Sequence, residues 1–301
     1  MKYTFLMPAY KARFIRQAID SILAQTYKDF ILIVSDDCSP EDLRAIVQEY
    51  DDSRLVHRRN EQNIGGKDLV AHWNLLLGLA ESDYVILAPD DDYYAPNFLE
   101  EIDKLATKHQ NVDVLKCRAQ MVDDKVEIFA KDMIYEEVIS QLDNAYSQTL
   151  GNFVSGIGNY VFSTKALCDI GGFVQYPRSW WSDVMTHLKL SKNGMAVTRD
   201  ILFSFRQSEV SISTGEYSTN SSIEKCIATN QFYQDAQKLF TTTIMESKYD
   251  LRRKKRWEDS IKNSYANQKF TYRCCFKLIT KGIYWPYKLY FLLSELKSKL
   301  R

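Results

Sequence analysis

No segment of this 301-residue chain is apolar for the roughly 18 or more residues that a membrane span needs. Its opening, MKYTFLMPAY, has neither the basic segment nor the apolar stretch of a secretory signal. These absences predict a protein made and kept inside the cell. An excess of charge is missing as well: Lys plus Arg and Asp plus Glu both number 39, so no global field recruits nucleic acid or selects acidic partners. The six cysteines show no paired metal-ligand spacing and no dense secreted-domain pattern, which predicts reduced thiols in a cytosolic protein. Internal repeats and a Gly/Ser-rich linker are also lacking. A chain of this length buries a sizeable core without disulfide staples.

What is present is alternation. Tyr3 to Met7 reads as a short buried strand, and Ile15, Ala18, Ile19, Ile22 and Leu23 follow at helical spacing. The pattern repeats: a strand at Phe30 to Val34, a helix through Leu43, Ile46 and Val47, and a strand near Leu55. A helix through Leu69, Val70, Trp73, Leu76 and Leu77 then leads to a strand at Tyr84 to Ala88. Such β/α alternation predicts an α/β fold with a mostly parallel central sheet flanked by helices on both faces. One more helix (Phe98, Leu99, Ile102, Leu105) and a strand (Val112 to Cys117) precede a polar, less regular stretch up to about Tyr160. From about Ser221 the sequence turns helical and basic, and no linker marks the boundary, placed near Thr214.

In open α/β sheets ligands sit beyond the carboxyl ends of the strands, and three acidic points fall there. After Phe30 to Val34 comes Ser35-Asp36-Asp37-Cys38-Ser39, where a carboxylate can accept from a base imide or a ribose hydroxyl. The same residues also read as an Asx turn or as the cap of a helix beginning at Ser39-Pro40-Glu41-Asp42. After Tyr84 to Ala88 comes Pro89-Asp90-Asp91-Asp92, three carboxylates that repel one another unless a cation neutralises them. A hard divalent ion bridging carboxylate and pyrophosphate oxygens meets that need; a solvated acidic turn before Pro96 is the plainer reading. The third point is Trp180-Trp181-Ser182-Asp183, where Asp183 suits either proton abstraction or simple charge stabilisation of the following helix.

Taken in order, these motifs resemble the family-2 glycosyltransferases of bacterial polysaccharide synthesis, from about Tyr3 to Ser213. Phe5-Leu6-Met7-Pro8-Ala9-Tyr10 looks like that family's first strand and nucleotide-contacting turn, and Ile19 to Tyr27 like its first helix. Asp36-Asp37-Cys38-Ser39 is similar to its Asp-Asp-x-Ser, which would set Asp37 on a uracil. Asn63-Ile64-Gly65-Gly66 with Asn74 resembles its Asn-x-Gly loop and helix Asn; Trp73 stands where the family has Arg, with Lys67 as the replacement contact. Asp90 falls near the ribose or diphosphate, and Asp91 and Asp92 fall at the metal, Mn²⁺ or Mg²⁺, with the division of roles within the run left open. Gly158 to Ser163 and Gly171-Gly172-Phe173 look like the acceptor side, with Trp180 and Trp181 as acceptor contacts and Asp183 as base. Phe205-Arg206-Gln207 with Val210-Ser211 resembles the late Arg-x-His segment near the diphosphate, with Ser208 in place of His.

The resemblance implies the GT-A nucleotide-diphospho-sugar transferase fold. Residues 1–214 would be catalytic, with a nucleotide-sugar half at 1–118 and an acceptor half at 119–214, followed by a helical extension at 215–301. It further implies inverting, single-displacement transfer of a hexose or N-acetylhexosamine from a UDP-sugar to a hydroxyl of a saccharide or lipid-linked saccharide. A nucleotidyltransferase would carry a Gly-rich phosphate loop after the first strand, and Pro8 to Arg13 has no glycine. A non-catalytic nucleotide-sugar-binding module stays open as an alternative, whereas no nucleic-acid-reading motif occurs. In the extension, Arg252 to Trp257 and then Trp285, Tyr287, Tyr290 and Phe291 suit the surface of an anionic membrane, on the inner face of the cytoplasmic membrane. A solvated helical appendage with Lys and Arg stems over apolar surface fits the same residues.

Overall fold

The computed structural model describes residues 1–149, 151–154, 156–208 and 219–240, together with Lys255 and Asp259. The boundary expected near Thr214 lies outside them, as do Val210, Ser211, Arg252, Trp257, Trp285, Tyr287, Tyr290 and Phe291 of the sequence reading. The chain divides into two compact units, Met1–Gln175 with Thr186–Thr214, and Tyr176–Met185 with Gly215–Arg301.

The first unit begins with the expected alternation: β1 (Tyr3–Ala9), α1 (Ile15–Leu23), β2 (Phe30–Asp36), α2 (Leu43–Val47), β3 (Leu55–Arg59), α3 (Leu69–Leu77) and β4 (Tyr84–Leu87). Strands β3, β2, β1 and β4 lie side by side, all parallel, with Ala9 level with Asp36 at the far end of the β1–β2 pair. Successive side chains of a strand point to opposite faces. Phe5 and Met7 therefore pack with Ile15, Ala18, Ile19 and Phe98 on one side, while Leu6 packs with Val70, Trp73 and Leu76 on the other. Because both faces are covered, β1 reads as an almost continuous apolar run. Phe5 is fully buried and meets Phe30 and Tyr94 edge to face, and removing such a ring from a packed core costs about 3–5 kcal/mol.

After a short β5 (Tyr93–Tyr94) and α4 (Phe98–Lys108), the chain from the expected strand at Val112 to Cys117 onward is structured, including the polar stretch up to about Tyr160 that looked irregular in sequence. It contains β6 (Val114–Val122), β7 (Ile128–Lys131), β8 (Val138–Ile139), α5 (Gln141–Thr149), β9 (Tyr160–Ser163) and α6 (Thr164–Asp169). α7 (Ser182–Leu190) and β10 (Met195–Arg206) follow. The sheet order is β3-β2-β1-β4-β9-β6-β10-β5, with β7 on β6 and β8 on β10. Parallel pairing is confined to β3-β2-β1-β4 and to β6 with β10; β5, β7, β8 and β9 are antiparallel to their neighbours. The second half of the sheet is thus mixed.

A buried ion pair anchors β6, whose first half was expected as a strand from Val112 to Cys117. Lys116 and Asp132 have no exposed side-chain surface and bond to each other, with the Lys116 ammonium 4.5 Å from the Phe153 ring centre. Asp132 also accepts from the Ala119 and Val154 amides, tying β6 to the segments on either side of α5. Cys38, Cys117, Cys168 and Cys226 are free thiols. No helix among the described residues is long and apolar enough to cross a membrane.

In the second unit, α8 (Thr219–Phe240) accompanies Tyr176–Met185, which contains Trp180, Trp181 and Asp183.

Candidate active site

Three strand ends of the first unit, β1, β2 and β4, open on the same edge of the sheet, and their loops are bonded together. Ala9 ends β1, and its carbonyl accepts from the Asp37 amide at 2.9 Å. The Ser39 hydroxyl donates to the Tyr10 carbonyl at 2.6 Å. Asp90 Oδ2, just past β4, accepts from the Tyr10 and Lys11 amides at 2.8 and 3.0 Å. The exit of β4 is fixed from the other side: a Cβ on Gly158 would fall 2.6 Å from the Phe203 ring and 2.8 Å from Pro89, so only glycine permits that approach. Pro8, Ala9, Tyr10, Asp37 and Asp90, predicted from widely separated motifs, are therefore brought to one place.

The acidic residues at the β2 end face inward. Asp36 is fully buried, accepts from the Ser39 amide at 2.8 Å and pairs with Arg59. Asp37 is 3 % exposed, and its Oδ1 accepts from the Asn60 side chain at 2.7 Å and the Ile64 amide at 2.9 Å, while Oδ2 accepts from the Gly65 amide at 2.7 Å. His72 stands 3.6 Å from Asp37, and its other ring nitrogen lies 3.0 Å from the Ser35 hydroxyl. Burial holds His72 below the usual imidazole value, although Asp37 pulls the other way. Asp37 thus fastens the 60–65 loop beside the β1 turn. Asn63 closes that loop on itself through the Gly66 amide, at 2.5 Å, and Lys67 is exposed at its end.

Two residues expected on the donor also bond within the protein. Asn74 exchanges hydrogen bonds with Phe173, accepting from its amide at 2.8 Å and donating to its carbonyl at 3.1 Å, so it clasps the Gly172 turn. Arg206 is 1 % exposed; its guanidinium donates to the Asp91 carbonyl, the Asp123 carbonyl and Gln17, and lies 4.2 Å from the Phe14 ring. Its amide donates to Asp92 Oδ1 at 2.7 Å. Arg206 is therefore a clamp behind the aspartate run. Sequence gave no sign of Gln17, Asn60, Arg59 or His72 in this cluster, since each acts through a contact remote in the chain.

Within the run, the three carboxylates differ. Asp92 is 1 % exposed, and its Oδ2 has no hydrogen-bond partner among the described residues. Burial, then repulsion from Asp91, pushes its carboxyl well above the usual range. Asp91 is half-buried, and its side chain takes no hydrogen bond from another described residue. Burial, then repulsion from Asp90, pushes its carboxyl up to about 6. Asp90 is also raised by burial, partly offset by the Tyr10 and Lys11 amides. The run holds more carboxylate oxygens than the described residues supply donors, which fits a divalent cation. Among the described residues no three His, Cys, Asp or Glu side chains gather around a metal position, so these residues offer a cation one or two such ligands. Mg²⁺ and Mn²⁺ accept such sites when substrate phosphates complete the shell.

This order of strand, acidic turn and aspartate run agrees with a family profile described as glycosyl transferase family 2, which matches residues 4–171, more than half of the chain. The chain belongs to glycosyl transferase family 2. The family-2 chain is 34 % identical over 98 residues to UDP-Glc:alpha-D-GlcNAc-diphosphoundecaprenol beta-1,3-glucosyltransferase WfgD of Escherichia coli, covering 32 % of this chain and 38 % of that one. It spans about two fifths of the length of the curated relatives it matches. Its fold is that of Staphylococcus aureus TarS 1–349 in complex with UDP-GlcNAc, with TM-score 0.62 and 19 % identity over 87 % of this chain and 80 % of that one. The mannosyltransferase PcManGT of Pyrobaculum calidifontis, solved with GDP-Man and Mn²⁺, gives TM-score 0.54 at 15 % identity over 97 % and 83 %. The GT-A fold expected from the motifs is thereby shown.

In the second unit of this family-2 chain, Asp183 lies in the first turn of α7 and is half-buried. Its Oδ1 accepts from the Val184 amide at 2.8 Å, and burial pushes its carboxyl up to about 6. Trp181 is held by α8, its indole N–H donating to Thr229 at 3.1 Å. Trp180 lies under the Lys225 ammonium at 4.4 Å, and its own indole nitrogen has no partner among the described residues.

Proposed function

We propose that this chain is an inverting glycosyltransferase that moves a hexose or N-acetylhexosamine from a UDP-sugar to a hydroxyl of a saccharide or lipid-linked saccharide in surface polysaccharide synthesis. The observation that carries the reading is Asp91: a half-buried carboxylate at a strand end, repelled by its neighbour and given no donor by another described residue, in a chain of this family. The name of WfgD, with its UDP-glucose donor and diphosphoundecaprenol-linked acceptor, supports the same substrate classes here.

In this reading Asp91 holds Mn²⁺ or Mg²⁺, which when bound stabilises the charge on the departing diphosphate as a Lewis acid. Arg206 and Asp92 fix the backbone that presents Asp91, and Asp90 fixes the Tyr10–Lys11 turn beside it. Asp37 reaches the base chiefly by shaping the pocket wall through the 60–65 loop. Asp183 takes the proton of the acceptor hydroxyl; its desolvated carboxyl, poised at about 6, suits a base working near neutral pH. Trp180 lines the acceptor approach.

The test is UDP release from UDP-glucose, UDP-galactose and their N-acetyl forms with Mn²⁺ and a diphosphoundecaprenol-linked sugar. Asp183→Asn should keep UDP binding and lose transfer by on the order of 10²- to 10⁴-fold. Full turnover by that variant removes Asp183 from the role, and turnover unchanged in excess chelator removes the metal.

A further inference from the structure

Left-handed backbone is concentrated in one place in this protein. Among the described residues five non-glycine positions have positive φ, and three of them, Arg178 (56°), Ser179 (54°) and Trp181 (69°), fall within four residues. Side chains make that conformation unfavourable, so it persists only where surrounding contacts over-determine it. The segment in question leads directly into Asp183.

The contacts that impose it come from a single stripe of α8. The Trp181 ring stacks on Phe232, with centres 4.7 Å apart and planes within 13°. Its indole N–H donates to Thr229 Oγ1 at 3.1 Å, while the Thr229 hydroxyl donates to the Lys225 carbonyl at 2.8 Å. That second bond fixes the hydroxyl proton and leaves a lone pair aimed at the indole. The Lys225 ammonium lies 4.4 Å over Trp180, and Tyr176 donates its hydroxyl to Asp235 at 2.9 Å. Positions 225, 229, 232 and 235 recur at three- and four-residue spacing, so they share one face of the helix.

The effect is transmitted by short steps. The Tyr176 amide donates to Ser182 Oγ at 3.2 Å, closing the segment into a loop. The Trp181 carbonyl accepts from the Met185 amide at 3.0 Å and so caps the first turn of α7, two residues from Asp183. Where Trp181 is placed, Asp183 is placed.

We propose that α8 is a splint for the base-bearing loop, and that Trp181, Thr229 and Phe232 are positioning residues for the transfer step. Trp181, expected from sequence as an acceptor contact, is on this view a support for Asp183. The inference rests on Asp183 being the general base.

The experiment compares full-length wild type with Thr229→Val, Trp181→Phe and Thr229→Ser. It measures steady-state UDP release with UDP-glucose or UDP-N-acetylglucosamine, whichever is turned over, and the thermal shift produced by UDP. Thr229→Val removes the indole bond while keeping the shape, and Trp181→Phe removes it while keeping a ring against Phe232. Both should lower kcat by about tenfold, since displacing a reacting group slightly is enough for that. The KM for donor and the UDP thermal shift should stay at wild-type values, and Thr229→Ser, which keeps the acceptor oxygen, should restore kcat. Wild-type kcat in both variants overturns the proposal, as does a failure of Thr229→Ser to recover or a loss of UDP binding alongside kcat. Asp183→Asn in the same series separates the two claims. An inactive Asp183→Asn with fully active Thr229→Val and Trp181→Phe sinks the splint alone, whereas an active Asp183→Asn sinks the base assignment beneath it.

Discussion

At the end of β2, two adjacent aspartates are met by donors on every side, Asp36 by Ser39 and Arg59, and Asp37 by Asn60, Ile64 and Gly65. At the end of β4, three adjacent aspartates are met by fewer: the Tyr10 and Lys11 amides on Asp90, the Arg206 amide on Asp92, and nothing from another described residue on the Asp91 side chain. The motifs look alike as strings, an acidic run after an apolar strand. The difference is the balance between oxygens and donors. Where donors suffice, a buried carboxylate is a structural anchor; where they fall short, it is held at a cost in free energy and is available to a cation.

The comparison can be broken at its strongest point first. Asp91→Asn should lower transfer by on the order of 10³-fold, about 4 kcal/mol of transition-state stabilisation, in the UDP-release assay. Its thermal midpoint should not fall, because the change removes repulsion with Asp90 and no hydrogen bond from another described residue. A collapse in stability would show that Asp91 is an anchor like Asp37. The converse substitution is Asp37→Ala, which leaves the Ile64 and Gly65 amides and the Asn60 side chain without their acceptor. It should cost about 2–4 kcal/mol in chemical denaturation, and activity should fall only through the displaced loop. A smaller effect is expected away from both strand ends, at Gly172, whose φ is +88° and whose Cβ would lie 2.4 Å from Asn74 Oδ1. Gly172→Ala should cost about 1–3 kcal/mol by the same denaturation measurement, and no loss would mean that the Asn74 clasp is dispensable.

Lowering the pH offers a finer test, since Asp183 must be ionised to act as base. With its carboxyl at about 6, kcat should be full above that pH and fall as the pH drops through it, giving an acid limb about two units higher than an exposed aspartate would give. A limb near pH 4 would remove the desolvated carboxyl from the rate-determining step.

Much of the first unit was legible because buried parallel strands must be apolar and their covering helices must repeat every three or four residues. The Asp90–Asp92 run was legible for the same reason, standing immediately after the apolar strand Tyr84 to Leu87. The region after Val122 was not. Its order depends on Lys116 and Asp132, a charged pair that in sequence signals surface and in the fold is fully buried. Arg206 and Asn74 were found as positions, but their bonds to other parts of the chain were not legible, because a polar side chain looks the same whether its partners are ligand or protein. The stripe on α8 was invisible, since Lys225, Thr229, Phe232 and Asp235 mix charge, hydroxyl and ring and give no hydrophobic period.

The sequence by itself determined the β/α framework, the family, and the fact that aspartates stand where strands end, since those follow from local polarity and spacing along the chain. Only the tertiary structure decided which aspartates are free to do chemistry. That depends on how many donors arrive from residues 23 to 114 positions away, as in Asp36 with Arg59 and Asp92 with Arg206, and a linear pattern does not carry that count.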